Sequence, residues 1–261
     1  IDFALEGEAA LQLYVLAAPR IGEDATCNQA WAGEWEGRPL LWAEQGPFGL
    51  ALAAVDREGR PALLQRSVGR VGASDGWQDF HTNGCMSWHY AEAGPGEVAL
   101  TAQLPHAGAL ALGLSSSREA AATLALQSLA AGFETRWTAY CRTWQQWLDN
   151  IHWPSELEAL LKAETRVLLR RSVAVIKIHE DRTFPGAFVA SLSVPWGEAS
   201  NSRGGYHLVW ARDLVETAGA LVALGCLADA QRVLIYLIAT QQANGHWLQN
   251  QWLGGKPFWQ G

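Results

Sequence analysis

The sequence predicts a chain in two parts, an antiparallel β-sandwich in front and an all-α region behind. Three observations carry this. Short apolar runs separated by Gly- and Pro-rich turns occupy the first 114 residues. From Ser115 onward the apolar residues recur every three or four positions instead. The helical runs of the second half are joined by two long loops that are rich in aromatic residues.

In the front part, residues 10–16, 39–43, 49–55 and 97–104 read as strands, the last with alternating faces and a stop at Pro105. Asp56 to Gly59 reads as a hairpin turn. Ser74-Asp75-Gly76-Trp77 reads as a turn closed by Asp75 and Gly76, with Trp77 as a packing plug. A surface loop reaching a neighbouring domain or a ligand is the alternative. The front domain is assigned to residues 1–114.

Residues 115–153 read as a helical linker. Ser115 to Ser117 can cap a helix, with Glu119 as a first-turn acid, and Gly132 marks a break or kink. Phe133, Trp137, Tyr140, Trp144, Trp147 and Ile151 form one aromatic stripe, expected to be core. The second domain, 154–261, opens with a capping-box spacing at Ser155 to Glu158. It continues in helical period to about His179, then in the runs 210–226 and 227–242, the latter closed by Asn244-Gly245.

Composition bounds the function. The 261 residues are 49% hydrophobic and 17% charged, which is globular. A net charge of −7 argues against nucleic acid as a partner. No window reaches about 18 apolar residues, so no membrane span is expected. Cys27, Cys85, Cys141 and Cys226 form no CxxC, which excludes a zinc site of that spacing and leaves buried free thiols as the expectation. No signal peptide is visible. The chain begins with Ile1 and is expected to be a piece of a longer protein. Fourteen tryptophans are the unusual feature, because Trp both fills cores and stacks on sugar faces.

The chemistry concentrates in Gly204 to Asp213 and in the two flanking loops. Tyr206 and Trp210 frame the pair Arg212 and Asp213 at the mouth of an apolar helix. A charged pair placed there either pins the helix N-terminus or meets a polar ligand. The loop 183–205, about 23 residues long, and the loop 244–261 favour the ligand. The second loop interleaves Trp247, Trp252, Phe258 and Trp259 with Gln249 and Asn250, a surface able to stack on a ring and read hydroxyls. Of the nearby carboxylates Glu180, Asp181, Glu198, Asp213 and Glu216, Glu198 is the best placed for catalysis, yet it reads first as a solvated loop acid. His207 and His246 are isolated, no HExxH, GxSxG, GxGxxG or P-loop occurs, and no metal site is expected.

Several of these segments match a known pattern. Gly204-Gly205-Tyr206-His207-Leu208-Val209-Trp210-Ala211-Arg212-Asp213-Leu214 resembles the first substrate-binding segment of glycoside hydrolase family 15, the inverting glucoamylases and glucodextranases. Pro185 to Ser191 and Pro195-Trp196-Gly197 resemble its preceding loop, and Asn244 to Gly255 its next loop. Ser74 to Asp79 and Val98 to Thr101 resemble the N-terminal β-domain of bacterial members.

The resemblance implies a partial N-terminal β-supersandwich, a helical linker and the first helices of an (α/α)6 toroid. It implies release of glucose from the non-reducing ends of α-glucans, with an α-glucan or oligosaccharide as partner. Tyr206, Trp210, Arg212 and Asp213 would line the terminal-glucose subsite, with Trp259 on the substrate-facing loop. Trp247, Gln249, Asn250 and Trp252 would line the pocket more loosely. The family's general acid, in a Trp-Glu-Glu type motif, and its general base are expected beyond Gly261, so the chain alone should be inactive. No cofactor is expected, with room for calcium in the full enzyme. Glucodextranase or trehalase specificity, or a non-catalytic carbohydrate-binding protein, are the rivals. A secreted or periplasmic location is expected.

Overall fold

The computed structural model describes residues 1–7, 11–22, 25–151, 155–192 and 207–258. The chain divides into two compact units, Ile1–Tyr140 and Cys141–Gly261.

Unit 1 is a sandwich of two antiparallel sheets. Strands β1 (Asp2–Ala4), β3 (Asn28–Trp35), β4 (Arg38–Gln45), β5 (Phe48–Asp56), β7 (Glu92–Gly96) and β9 (Ala107–Ser115) form the larger, in the order β1-β9-β5-β4-β3-β7. Strands β2 (Leu13–Ala17), β6 (Arg66–Arg70) and β8 (Val98–Leu104) form the smaller, in the order β2-β8-β6. The period of two along each strand decides what meets what. Leu41, Leu50, Leu52, Ala54 and Leu110 of the larger sheet meet Val68, Val98, Leu100 and Ala102 of the smaller one in a closed core.

Helix α2 (Arg118–Ala131) covers the other face of the larger sheet. Ser117 caps it, its hydroxyl accepting from the Ala120 N–H at 3.1 Å. The contact is made by small residues, Ala51, Ala53 and Ala111 against Ala121, Ala122 and Ala125. At Gly113 even a Cβ would lie 2.0 Å from the Ala121 carbonyl oxygen, so the helix can come this close only to glycine.

The stretch expected as a turn at Ser74–Trp77 is the start of a helix, α1 (Gly76–Asn83). Asp75 is its N-cap, accepting from the Gln78 N–H at 3.0 Å. Trp77 is 66% exposed and plugs nothing. The anchor is Asp79, buried, which accepts from the backbone N–H groups of Ser87 and Trp88 at 2.8 Å each and from Asn83 Nδ2 at 2.8 Å.

The expected linker helix is two helices. Gly132 separates α2 from α3 (Phe133–Asp149) at φ +79, a conformation that breaks the helix. The aromatic stripe of α3 is not uniformly core. Phe133, Trp137 and Tyr140 are exposed and stack along the helix, at 6.1 and 5.8 Å between ring centroids. Trp147, Leu148 and Ile151 join the core of unit 2. The period marked one face correctly and could not say what covers it.

Unit 2 contains α4 (Ser155–Leu160), α5 (Ala163–Ile178), α6 (Ala211–Ala223) and α7 (Leu227–Thr240). The run expected as one helix to His179 is interrupted at Leu161 and Lys162. Residues 152–154 lie outside the described residues, as do the side chains of 156–158, and with them the expected capping box. Helices α6 and α7 are joined by a Schellman turn. The N–H of Cys226 reaches the Leu221 carbonyl at 2.9 Å and that of Gly225, at φ +71, reaches Val222 at 3.0 Å. The expected stop at Asn244-Gly245 lies beyond the helix end, where α7 has already left helical geometry at Gln241. No helix among the described residues is long and apolar enough to cross a membrane.

None of the four cysteines is in a disulfide, but only Cys226 is buried, while Cys27, Cys85 and Cys141 are exposed. The expectation of buried thiols fails at those three because each stands on a surface turn, a strand entry or the open face of α3.

Candidate functional site

The segment carrying Arg212 and Asp213 is built by a strand that turns into a helix. Val209 and Trp210 form β10, and α6 begins at the next residue. Leu208 and Val209 are fully buried and fix this entry. Trp210 stands at the N-cap with extended backbone and supplies no side-chain cap, since an indole has no acceptor. The first turn of α6 is therefore held from outside the helix.

That hold comes from the second loop. Asn250 and Gln251 form β11 and pair antiparallel with β10, Trp210 opposite Asn250 and Val209 opposite Gln251. Asn250 is 1% exposed. Gln251 donates from Nε2 to the Tyr236 hydroxyl at 3.0 Å, and that hydroxyl donates to the Leu253 carbonyl at 2.9 Å. A turn closes the segment, with Trp252 N–H on the Lys256 carbonyl at 2.9 Å and Gly255 N–H on Trp252 at 2.8 Å. The Trp252 ring meets His207 at 5.6 Å and Phe258 edge-on at 5.2 Å.

On this frame Arg212 is 79% exposed along its side chain, with its guanidinium 3.4 Å from Asp213 Oδ2 and 6.0 Å from the centroid of the Trp210 ring. Asp213 sits in the first turn, where the helix dipole favours a carboxylate. The pair presents donors and an acceptor side by side, at a surface edged by an aromatic ring.

The structure thus brings Trp210, Arg212, Asp213, Asn250 and Trp252 to one strand pair. Trp247 stands apart, half exposed, its indole N–H given to the Leu237 carbonyl at 2.7 Å, and Gln249 is exposed. Tyr206 and Trp259 lie outside the described residues, as does Glu198. Two further polar atoms carried no sign of burial in the sequence, although His207 was singled out as an isolated histidine. His207 Nδ1 and Gln251 Oε1 are buried beside the ladder without a hydrogen-bond partner among the described residues. Their signal, one His and one Gln in a polar loop, does not differ from that of solvated residues.

Sequence reasoning also missed a charge cluster between α5 and the start of α7. Lys177 of α5 pairs with Glu180 and, at 2.6 Å, with Asp229 of α7. Arg232 holds Glu180 through two hydrogen bonds of 2.8 and 3.1 Å and also reaches Asp229. Trp147 Nε1 lies 3.4 Å from both Asp229 oxygens, and the Gly186 N–H gives Glu180 a further bond at 3.0 Å. Burial pushes both carboxyls up. The hydrogen bonds and charges of Arg232 and Lys177 outweigh it and hold both below the ordinary range. Glu180 is thus a strut of the loop that follows α5. Asp181 is likewise occupied, accepting from the N–H groups of Thr183 and Phe184 at 2.7 Å each. Among the described residues no three His, Cys, Asp or Glu side chains could hold a metal ion.

The comparisons with known proteins agree in order along the chain. The sequence model of glucodextranase, domain N, matches residues 1–149, and that of glycosyl hydrolases family 15 matches residues 164–245. A glucoamylase of Clostridium sp. (strain G0005) is 29% identical over 266 residues, covering 99% of this chain and 36% of that protein. A solved structure of a bacterial glucoamylase complexed with acarbose superposes with a TM-score of 0.82 at 28% identity, covering 96% of this chain and 36% of the other. The chain spans little more than a third of the length of these relatives. The family 15 match includes Trp210, Arg212 and Asp213 and stops before Trp247.

Proposed function

Because the chain belongs to the family of glucodextranase N domains and carries a family 15 glycosyl hydrolase segment behind that domain, we propose that it serves a glycoside hydrolase of glucoamylase type. In this reading the enzyme releases glucose from the non-reducing ends of α-glucans with inversion at the anomeric carbon. The observation that carries the proposal is the placement of Arg212 and Asp213 at the start of α6, beside Trp210 and across a strand pair from Asn250. Guanidinium and carboxylate offer complementary hydrogen bonds to neighbouring hydroxyls, and the indole covers the C–H face of the ring. The acarbose bound to the bacterial glucoamylase is a ligand of this chemical kind.

The part these residues play is binding. Inverting hydrolysis needs a protonated acid at the glycosidic oxygen and a base for water, roughly 6.5–9.5 Å apart. Glu180 and Asp181 are consumed by structural bonds, so neither suits that work. In this reading the acid and base come from sequence beyond Gly261. Export belongs to the same proposal, since a polymeric glucan cannot cross a membrane to meet its enzyme; fractionation of the producing cells tests it.

The deciding experiment follows glucose release by the longer protein on starch, dextran and trehalose, with the anomeric proton observed by NMR. Early β-glucose from starch is the expected result. Early α-glucose would overturn inversion. Preference for dextran or trehalose would move the specificity, and binding without release from any of the three would make this a carbohydrate-binding protein.

A further inference from the structure

Helix α2 does not cover the whole outer face of the larger sheet. It lies on β9 and β5, and the β3–β4 end of that face is left to three indoles. Trp31 and Trp42 are register partners across β3 and β4, and Trp35 follows on the same face of β3. Gly33 stands between Trp31 and Trp35, and a Cβ there would come within 3.1 Å of the Trp42 ring, so the glycine lets that ring lie across the strand. The first turn of α2 supplies a wall. The Arg118 guanidinium lies 5.4 Å from the centroid of the Trp31 ring and is held by Glu119 at 3.0 Å. With the Ala32–Glu34 stretch these residues line an open-sided cavity of about 360 Å³, within the range of about 300–1,000 Å³ usual for small-ligand sites. Trp42, which lines it, has a buried indole N–H with no acceptor among the described residues.

We propose that this cavity is a second saccharide site, separate from Arg212 and Asp213, which takes a glucosyl unit of an α-glucan chain on the β-domain. The chemistry narrows the ligand. Indole walls suit a molecule with an apolar face, and the Arg118–Glu119 pair suits one that both donates and accepts hydrogen bonds. Glu119 neutralises Arg118, and the other carboxylate nearby, Glu34, lies on the opposite face of β3 beside Arg66, so no net positive charge here favours a phosphate or nucleic acid. A peptide added as a strand finds little edge here, because β3 is paired to β4 along its length and to β7 as far as Trp31, and the Gly33 carbonyl beyond that pairing accepts from Arg66. A neutral pyranose meets each condition. The choice of an α-linked glucan rests on the function proposed above, whereas a saccharide as ligand does not.

The test is a titration of the ¹⁵N-labelled chain with maltoheptaose, and separately with cellohexaose, reading the tryptophan indole signals. The expected result is saturable shifts of Trp31, Trp35 and Trp42 with maltoheptaose. They should be lost in Trp35→Ala, weakened at least fivefold in Arg118→Ala and retained in Trp210→Ala. Arg118 is half exposed and belongs to no core, so Arg118→Ala decides the matter if Trp35→Ala fails to fold. Unmoved signals at tens of millimolar maltoheptaose, or unchanged affinity in Arg118→Ala, would overturn the site. Equal or larger shifts with cellohexaose would overturn the α-glucan assignment. Hydrolysis by the longer protein is measured separately, so failure of either reading leaves the other standing.

Discussion

Trp210 and Asn250 face one another across a two-stranded ladder that joins the start of α6 to the loop after α7. The pairing makes two distant loops into one surface and aims the first turn of α6, with Arg212 and Asp213.

Arg212 and Asp213 hold nothing in the core. In the longer protein, Asp213→Ala or Arg212→Ala should lower kcat/KM on maltooligosaccharides by at least about 100-fold, as expected for lost hydrogen bonds to a reacting sugar. Stability should change by no more than about 0.5 kcal/mol. Kinetics and a thermal melt check both halves, and wild-type rates would refute the assignment.

The ladder is fastened through Tyr236, whose hydroxyl bridges Gln251 and Leu253. Tyr236→Phe keeps the ring and strands both partners, at a cost of about 1–3 kcal/mol. Urea denaturation measures it. A loss below about 0.5 kcal/mol would mean that the ladder stands without this bridge.

Removing Arg232 leaves two buried carboxylates with Lys177 as their one cation among the described residues. Arg232 is itself a third exposed, so Arg232→Ala should cost about 2 kcal/mol, less than a fully buried pair would. The same cluster sets a pH dependence. Glu180 and Asp229 titrate lower in the folded chain than when unfolded. Their contribution is therefore complete above the ordinary carboxylate range and is lost as pH falls through the lowered values. Melting temperature against pH should show an acid limb that flattens in Arg232→Ala.

Asp79 holds two backbone N–H groups and Asn83 from a buried position. Asp79→Ala should destabilise unit 1 by about 2–3 kcal/mol, seen as a lower urea midpoint, whereas Trp77→Ala at the exposed position beside it should have little effect.

Thiol reactivity should divide three to one. Cys27, Cys85 and Cys141 are exposed and should react with a disulfide reagent in the folded chain. Cys226 should react only on unfolding. Burial, then the nearby Asp229, pushes its thiol pKa up. Four fast thiols would contradict the packing around Cys226.

What the sequence determined by itself was local. The apolar run at 49–55 and the alternating run at 97–104 became strands β5 and β8, and Ser117 was legible as a helix start because its hydroxyl reaches only three residues ahead. The Arg212-Asp213 pair beside Trp210 was legible for the same reason. The tertiary structure decided what covers each face and which loops meet. Trp137 and Trp147 share one stripe, yet one is exposed and the other joins a core. Asn250 and Gln249 are neighbours in a polar loop, yet only Asn250 is sealed into the ladder with Trp210. Glu180 read only as one of five carboxylates near the pocket, and Arg232, 52 residues away, makes it a strut. Trp31 and Trp42 are two of fourteen tryptophans in the sequence, and where α2 stops over the sheet leaves them lining a cavity. Period and capping report a residue's own turn or strand. Coverage depends on contacts between distant residues, and no local pattern encodes those.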